Sequence, residues 1–286
     1  MGKALTSLFL LSLICSVLAM SRKILVTGGN QGIGKAICQK ILTDFPDCHV
    51  FLGSRDAAKG EAAVSSIVKA AGSERIQCVS LDVTDAASVQ ALCAQLLAAH
   101  GEGSFYGLVN NAGVGFGRSL AETLAVNLYG PKRVTEAMLP LLGRPGRIVN
   151  LASASGPMYV AKLSADRKKT FADATSWEQL QAVVETLGVA QGDEYGFSKA
   201  CLNSYTMQLA AQQPDLVVNS CTPGFIATQL TEGMGATGTP EQGTRCPLHC
   251  LFAPAEEVGT GRYYGSDSVR SPLDRYRGPG DPPYNP

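Results

Sequence analysis

The chain has no excess charge of either sign: 24 Lys and Arg stand against 24 Asp and Glu in 286 residues. That balance excludes the electrostatic footprint of a nucleic-acid binder. The one basic run, Arg167-Lys168-Lys169, is short and reads as a solvated face. Histidine is scarce. His49 and His100 stand alone, and His249 falls between Cys246 and Cys250 with no second ligand pair at zinc spacing. No metal is therefore expected, and that stretch reads as one helix. The nine cysteines do not cluster; Cys38, Cys78, Cys93 and Cys221 lie in apolar segments, where a free thiol behaves as a small hydrophobe. No internal repeat at solenoid spacing is present.

Long apolar runs are missing with one exception. Residues 1–20, MGKALTSLFLLSLICSVLAM, place Lys3 before an uncharged run from Ala4 to Met20, short for a spanning helix. Val17 and Ala19 supply small residues at signal-cleavage spacing. The segment reads as a secretory signal peptide or an uncleaved membrane anchor, which would put the protein in the secretory pathway or endoplasmic reticulum. Membrane contact would then run only through residues 4–20. A chain started at Met20, just before SRKILVTGG, would be cytoplasmic. The scatter of the cysteines favours a reducing compartment.

What is present is alternation. Short apolar runs at KILVTGG, HVFLGS, IQCVSLDV, FYGLVNNAG, GRIVNLAS, DLVVNSCTPG and GRYYGSD read as seven strands. Between them, 32–43, 57–70, 86–99, 120–142 and 195–213 carry helical spacing, with a break expected near Gly130-Pro131. The pattern predicts an α/β fold of the Rossmann type, a doubly wound parallel sheet of about seven strands with helices on both faces. One domain spans residues 21–265, and the Pro-, Gly- and charge-rich stretch 266–286 is expected to be a loosely ordered tail.

The first strand runs into TGGNQGIG, residues 27–34. Gly28 permits a tight turn, Gly32 lets backbone approach a pyrophosphate, and Gly34 lets the helix sit close to the strand. The N–H groups of Asn30, Gln31 and Ile33 lie in the same turn, where a helix N-terminus attracts phosphate. Because the glycines follow a strand and open an amphipathic helix, they meet the context a dinucleotide site requires. A carboxylate that would bind the ribose hydroxyl of NAD is missing at the end of the second strand. Ser54 takes its place and Arg55 follows, suiting a 2′-phosphate and hence NADP(H), unless Asp56 merely pairs with Arg55.

Farther on, Tyr195 and Lys199 stand at i and i+4 on one helix face. A tyrosine ordinarily titrates near ~10. An ammonium close by would lower that by roughly 1–3 units and make the phenol a usable proton shuttle.

Taken together, TGGNQGIG (27–34), NNAG (110–113), NLAS (150–153), YGFSK (195–199) and TPGFIAT (222–228) resemble the short-chain dehydrogenase/reductase family over roughly residues 23–265. The resemblance implies that Tyr195 protonates the carbonyl oxygen as hydride arrives. Lys199 lowers its pKa and holds the nicotinamide ribose, and Ser153 hydrogen-bonds the substrate oxygen. Asn127 positions a water linked to Lys199. Asp82 and Val83 meet the adenine; Asn110, Ala112 and Gly113 line the adenosine side; Thr228 reaches the carboxamide or the phosphates, and Pro223 and Gly224 also touch the cofactor.

Two departures stand out. Ser153 and Tyr195 are 42 positions apart, where the family usually places about a dozen. The insertion, about 158–193, contains TSWEQLQAVVETLG, a helix with Ser176 as its N-cap. It resembles the carbonyl-reductase branch, in which an extra helix covers the usual oligomer contact, so a monomer is expected. Only fourteen positions separate Gly113 from Asn127, about two helical turns fewer than the family has. That predicts a more open pocket or a displaced Asn127. The Gly-rich 228–242 stretch reads as a lid, with Met158, Tyr159, Phe225 and Met234 as candidates for an apolar pocket.

The resulting expectation is an NADPH-dependent oxidoreductase that reduces an aldehyde, ketone or quinone. A dehydrogenase of sterol- or retinoid-type alcohols, and a catalytically weak NADP(H)-binding sensor or scaffold, are the alternatives.

Overall fold

A computed structural model describes residues 21–172 and 176–285. The signal or anchor segment read from residues 1–20 lies outside the described residues. Among the described residues no helix is long and apolar enough to cross a membrane.

The strands are β1 (Arg22–Thr27), β2 (Cys48–Ser54), β3 (Ile76–Ser80), β4 (Phe105–Asn110), β5 (Leu142–Leu151), β6 (Leu216–Cys221), β7 (Arg262–Tyr264) and β8 (Arg270–Ser271). They form one sheet in the order β3-β2-β1-β4-β5-β6-β7-β8. Pairing is parallel as far as β7, and β8 is antiparallel. Strand order reverses between β1 and β4, which opens a crevice beyond their carboxyl ends, the place where such sheets bind ligands.

The strands are apolar on both faces because both faces are covered. Alternate residues feed opposite cores. Leu25, Phe51, Leu108, Ile148 and Val218 face one cluster. Ile24, Val26, Val50, Leu52, Val109 and Val149 face the other. The crossover helices are α1 (Gly32–Asp44), α2 (Ala57–Ala71) and α3 (Ala86–His100). Asp56 caps α2 by accepting from the Lys59 N–H, and Asp85 caps α3 by accepting from the Ala87 N–H.

The helix expected over 120–142 is shorter and interrupted. α4 (Leu120–Leu124) passes through a π turn (Ala125–Tyr129) into α5 (Gly130–Met138), and β5 already begins at Leu142. Pro131 has no N–H to give the carbonyl four residues earlier, that of Asn127, and the helix widens there.

The insertion folds as α6 (Ser155–Ala161), α7 (Ala165–Ala172) and α8 (Trp177–Thr186). Ser176 caps α8 as expected, in a reciprocal capping box with Gln179. These helices lie on α9 (Glu194–Gln212), with the Trp177 ring against Tyr205 and Tyr129, and Phe171 against Phe197. The C-terminal stretch departs from the loose tail expected. Arg277, nearly fully buried, pairs with Asp267 at 2.9 Å and donates to the carbonyls of Pro282 and Asp281. Charge that reads as solvated in the sequence is instead used to fasten residues 267–285 to themselves and to supply the eighth strand.

Candidate active site

The crevice is built from the ends of β1, β4, β5 and β6. At β1, the Thr27 hydroxyl accepts the N–H groups of Asn111 and Ala112, both at 3.0 Å. The Asn111 amide donates back to the carbonyls of Thr27 and Gly28 at 2.8 and 3.0 Å. This bracing draws β1 and β4 together beneath the glycine turn. Gly28 has φ +63°, a conformation that costs an L residue. A Cβ on Gly34 would lie 2.3 Å from the Asn111 amide nitrogen and 2.4 Å from the Gly28 carbonyl oxygen. Gly34 is thus required for close approach of helix and strand, as the sequence implied.

The N-terminus of α1 has its donors available. Its N-cap, Gln31, makes no side-chain capping bond, and the first turn holds no acidic residue. Gln31 instead donates to Gln229 at 3.1 Å, and Gly32 faces the Thr228 methyl. The segment read as a lid therefore crosses over this turn. It is pinned at its base where Ala227 N–H donates to the Gly238 carbonyl at 2.7 Å, and Gly238 N–H donates to that of Phe225. Asn30 is half-buried in the turn, and the Ile33 side chain packs inward toward Gly243, leaving only its backbone toward the crevice. Gly224, after Pro223, turns with φ +96° and donates to the Thr222 hydroxyl.

At β2 the Ser54 hydroxyl is buried and donates to the Asp56 carbonyl at 2.8 Å. Asp56 is engaged with Lys59, through its N–H at 3.0 Å and its ammonium at 3.7 Å. The pairing of Asp56 with Arg55 that would have explained Arg55 away is therefore absent among the described residues. The Arg55 guanidinium is exposed at the crevice edge near Asp82. Hydrogen bonds from Thr84 hold the Asp82 carboxyl below its ordinary range against the opposing effect of burial, with Arg55 and Arg133 assisting. Val83 is a core residue packed on Gly130, so only its backbone is in a position to meet a ligand.

Asn110 departs from its expected role. Its amide donates inward to Thr135 at 3.0 Å and to Asn150 at 2.8 Å, and its own oxygen is buried without a partner. The residue that faces the glycine turn is Asn111, the second Asn of NNAG. Side chains one apart leave a strand in opposite directions, so one of the pair must be structural. Ala112 and Gly113 follow on the crevice side. A Cβ on Gly113 would lie 3.3 Å from the Asn127 amide oxygen and 3.7 Å from the Lys199 ammonium.

The reacting groups converge past Gly113. Tyr195, on the first turn of α9, is 8% exposed and lies beside Ser153, just after β5. The Ser153 hydroxyl also accepts the Ser155 N–H at 3.1 Å. Lys199, one turn on, donates to the Leu151 carbonyl at 2.7 Å, with its nitrogen 5.8 Å from the centre of the Tyr195 ring. Asn127, in the π turn, is buried. It accepts the Val114 N–H and donates to the Val114 carbonyl and the Ser198 hydroxyl. The shortened 114–126 stretch thus does not remove Asn127 from the site; the side chain ties down the loop that replaced the missing turns.

Electrostatics correct one expectation. Burial raises the Tyr195 phenol above its ordinary value, with the Ser153 hydrogen bond opposing it. Burial also pulls the Lys199 ammonium down to about 8. In the protein alone, desolvation sets the direction of the tyrosine's shift. Two further aromatic positions differ from the sequence reading. Tyr159 belongs to the core beside Phe171 and Phe197, whereas Met158, Phe225 and Met234 are exposed. Phe116, which no sequence pattern singled out, packs its ring at a tilt 4.6 Å from that of Tyr195 while 49% exposed. The loop that replaced the lost turns lays an apolar wall beside the phenol.

Comparison with known proteins agrees with this geometry. The profile of a family described as short chain dehydrogenase matches residues 22–165. Salutaridine reductase of Papaver somniferum is 33% identical, over 84% of this chain and 92% of that one. Carbonyl reductase (NADPH) 1 of Homo sapiens is 30% identical over 82% and 92%. The solved structure of the Papaver somniferum salutaridine reductase superposes with a TM-score of 0.75 at 29% identity, covering 85% of this chain and 99% of that chain.

Proposed function

The chain belongs to the short-chain dehydrogenase family of oxidoreductases, and from that premise we propose that it uses NADPH to reduce a carbonyl, an aldehyde, ketone or quinone, to the alcohol. The observation that carries the reading is the convergence of a buried Tyr195 with the neighbouring Ser153 and with Lys199, which stands one helical turn on and donates to the Leu151 carbonyl. NADPH, when bound, would supply the hydride. Gly28, Gly32, Gly34 and the open N-terminus of α1 would take its pyrophosphate, and Arg55 its 2′-phosphate.

Ser153 and Tyr195 are neighbours, and a carbonyl oxygen held between them would receive a hydrogen bond from Ser153 and the proton of Tyr195. A phenol kept protonated by burial is in the state a proton donor needs. As the proton leaves, the phenolate gains the Lys199 ammonium as counter-charge. NADPH absorbance followed with a panel of aldehydes, ketones and quinones tests this. Turnover of at least one class is expected, and tight NADPH binding with no turnover of any would favour the sensor reading.

Arg55 gives a sharper test of the dinucleotide. Arg55→Ala is expected to raise KM for NADPH about 10-fold, the worth of a charge-assisted hydrogen bond, while leaving KM for NADH within about 2-fold of its wild-type value. An equal change for both would remove Arg55 from the phosphate.

The lysine sets a pH dependence. Lys199 is cationic below about 8, so kcat/KM for reduction is expected to fall as pH rises through that value. Stability moves the other way. The unfolded lysine titrates near ~10.4, so between about 8 and ~10.4 the unfolded chain binds the extra proton and folding is favoured as pH rises. The unfolding free energy of wild type minus that of Lys199→Met is therefore expected to climb over that window. A flat difference together with a flat rate profile would contradict the assignment.

The insertion bears on assembly. Since α7 and α8 cover the outer face of α9, we propose a monomer. Light scattering on the purified chain is expected to give the mass of one copy, and a stable tetramer would overturn the idea.

A further inference from the structure

Behind the crevice three thiols meet. Cys221 is the last residue of β6, and Cys246 and Cys250 stand one turn apart on α10 (Arg245–Phe252). Their sulfur atoms all lie within 4.8 Å of one another, and the residues are 0%, 1% and 1% exposed. Thiols packed as small hydrophobes need nothing further. Two buried polar groups beside them have no other explanation. The Ser268 hydroxyl is buried beside the Cys246 thiol and is hydrogen-bonded to no nitrogen or oxygen. It stands on a residue with φ +65°, a backbone strain rarely kept without cause in a residue other than glycine. The Arg147 guanidinium, 8% exposed, donates through one nitrogen to the Ala253 carbonyl at 2.9 Å. Its other terminal nitrogen is buried, unpartnered and close enough for its charge to act on Cys250.

We propose that Cys221, Cys246 and Cys250 form a buried three-thiolate site for a thiophilic d10 cation, zinc(II) in preference to copper(I), with the Ser268 hydroxyl as the fourth donor. Zinc–sulfur bonds of about 2.3 Å in a tetrahedral arrangement place sulfurs roughly 3.8 Å apart, compatible with three sulfurs that all lie within 4.8 Å of one another. A disulfide would need two sulfurs at about 2.0 Å and would leave the third thiol and both polar groups without partners. Charge selects the metal. Three thiolates and one zinc(II) carry one net negative charge, which the Arg147 guanidinium balances; copper(I) would leave one charge uncompensated.

Binding breaks three S–H bonds, forms three S–Zn bonds and releases three protons to solvent. His249 takes no part: its ring meets that of Tyr264 edge-on and lies 4.0 Å from Glu257. The site departs from the sequence expectation of no metal, because its third sulfur comes from a strand 25 positions before Cys246. It would also clamp the end of β6, whose Cys221 carbonyl accepts the Ala152 N–H beside Ser153 and whose next residues are Thr222, Pro223 and Gly224.

Full-length protein made in zinc-supplemented medium is desalted under thiol reductant, and its metal content is measured. Cadmium and copper(I) are then exchanged in, with the ultraviolet thiolate-to-metal charge-transfer band as readout. The proposal expects one zinc retained per chain and one cadmium equivalent saturating the band. Cys246→Ala should lose the band, and Cys93→Ser, with its buried thiol elsewhere, should keep it. Should Cys246→Ala fail to fold, the stoichiometry of wild type and Cys93→Ser decides the matter. Folded wild type with no retained metal and no band would overturn the site, as would a band of equal intensity in folded Cys246→Ala. Retention of copper(I) but not zinc would overturn the charge argument.

Discussion

Tyr195→Phe is expected to lower kcat by at least ~100-fold, the usual worth of a positioned general acid, while leaving NADPH affinity within about 2-fold. The substitution deletes one oxygen and preserves the ring, so the contact with Phe116 at 4.6 Å and the packing of α9 persist. What is lost is the proton and one of the two hydroxyls aimed at the carbonyl oxygen. The Ser153 hydroxyl keeps the Ser155 N–H, so stability should change by no more than about 1 kcal/mol. Single-turnover rates and NADPH fluorescence titration on the same preparation separate chemistry from binding. Equal rates in mutant and wild type would refute the role.

Gly34→Val is expected to weaken NADPH binding by about 100-fold. A Cβ at this position already meets the Asn111 amide at 2.3 Å and the Gly28 carbonyl at 2.4 Å, and both partners are fixed. Asn111 is held by two backbone carbonyls, and the Gly28 carbonyl belongs to the strand end itself. The helix must therefore retreat from the strand, carrying its N-terminal N–H groups away from the phosphate. Overpacking of this kind costs about 1–3 kcal/mol, and ~2.8 kcal/mol is a hundredfold in affinity. Denaturant unfolding should register a loss of similar size. Unaltered NADPH affinity in a folded Gly34→Val protein would mean that the close approach of α1 to β1 does not hold the dinucleotide.

Features of the fold that depend on local pattern were legible in the sequence. The apolar runs gave strands covered on both faces, and the glycines of TGGNQGIG gave the turn. Ser176 as an N-cap marked a helix start inside the insertion. Features that depend on which way a side chain points were not. Asn110 and Asn111 are indistinguishable as letters, yet strand alternation sends one into the core network with Thr135 and Asn150 and the other to the glycine turn. Tyr159 and Met158 are likewise neighbours with opposite fates. Spacing placed Tyr195 and Lys199 together but said nothing of how deeply they are buried, and burial reverses the expected direction of the tyrosine's shift. Phe116 faces Tyr195 because a loop was shortened, a consequence no local signal carries. The tail read as loose because its charges look solvated one at a time; Arg277 and Asp267, ten positions apart, become a pair only in three dimensions.

The most direct measurement is a crystal structure of the chain with NADPH and a carbonyl substrate or its inert analogue. The account predicts the Tyr195 phenolic oxygen within about 2.6–3.2 Å of the carbonyl oxygen, Ser153 on that same oxygen, and the reactive carbon of the nicotinamide facing the carbonyl carbon. A nicotinamide ring bound elsewhere, or a phenol turned away from the substrate oxygen, would contradict it.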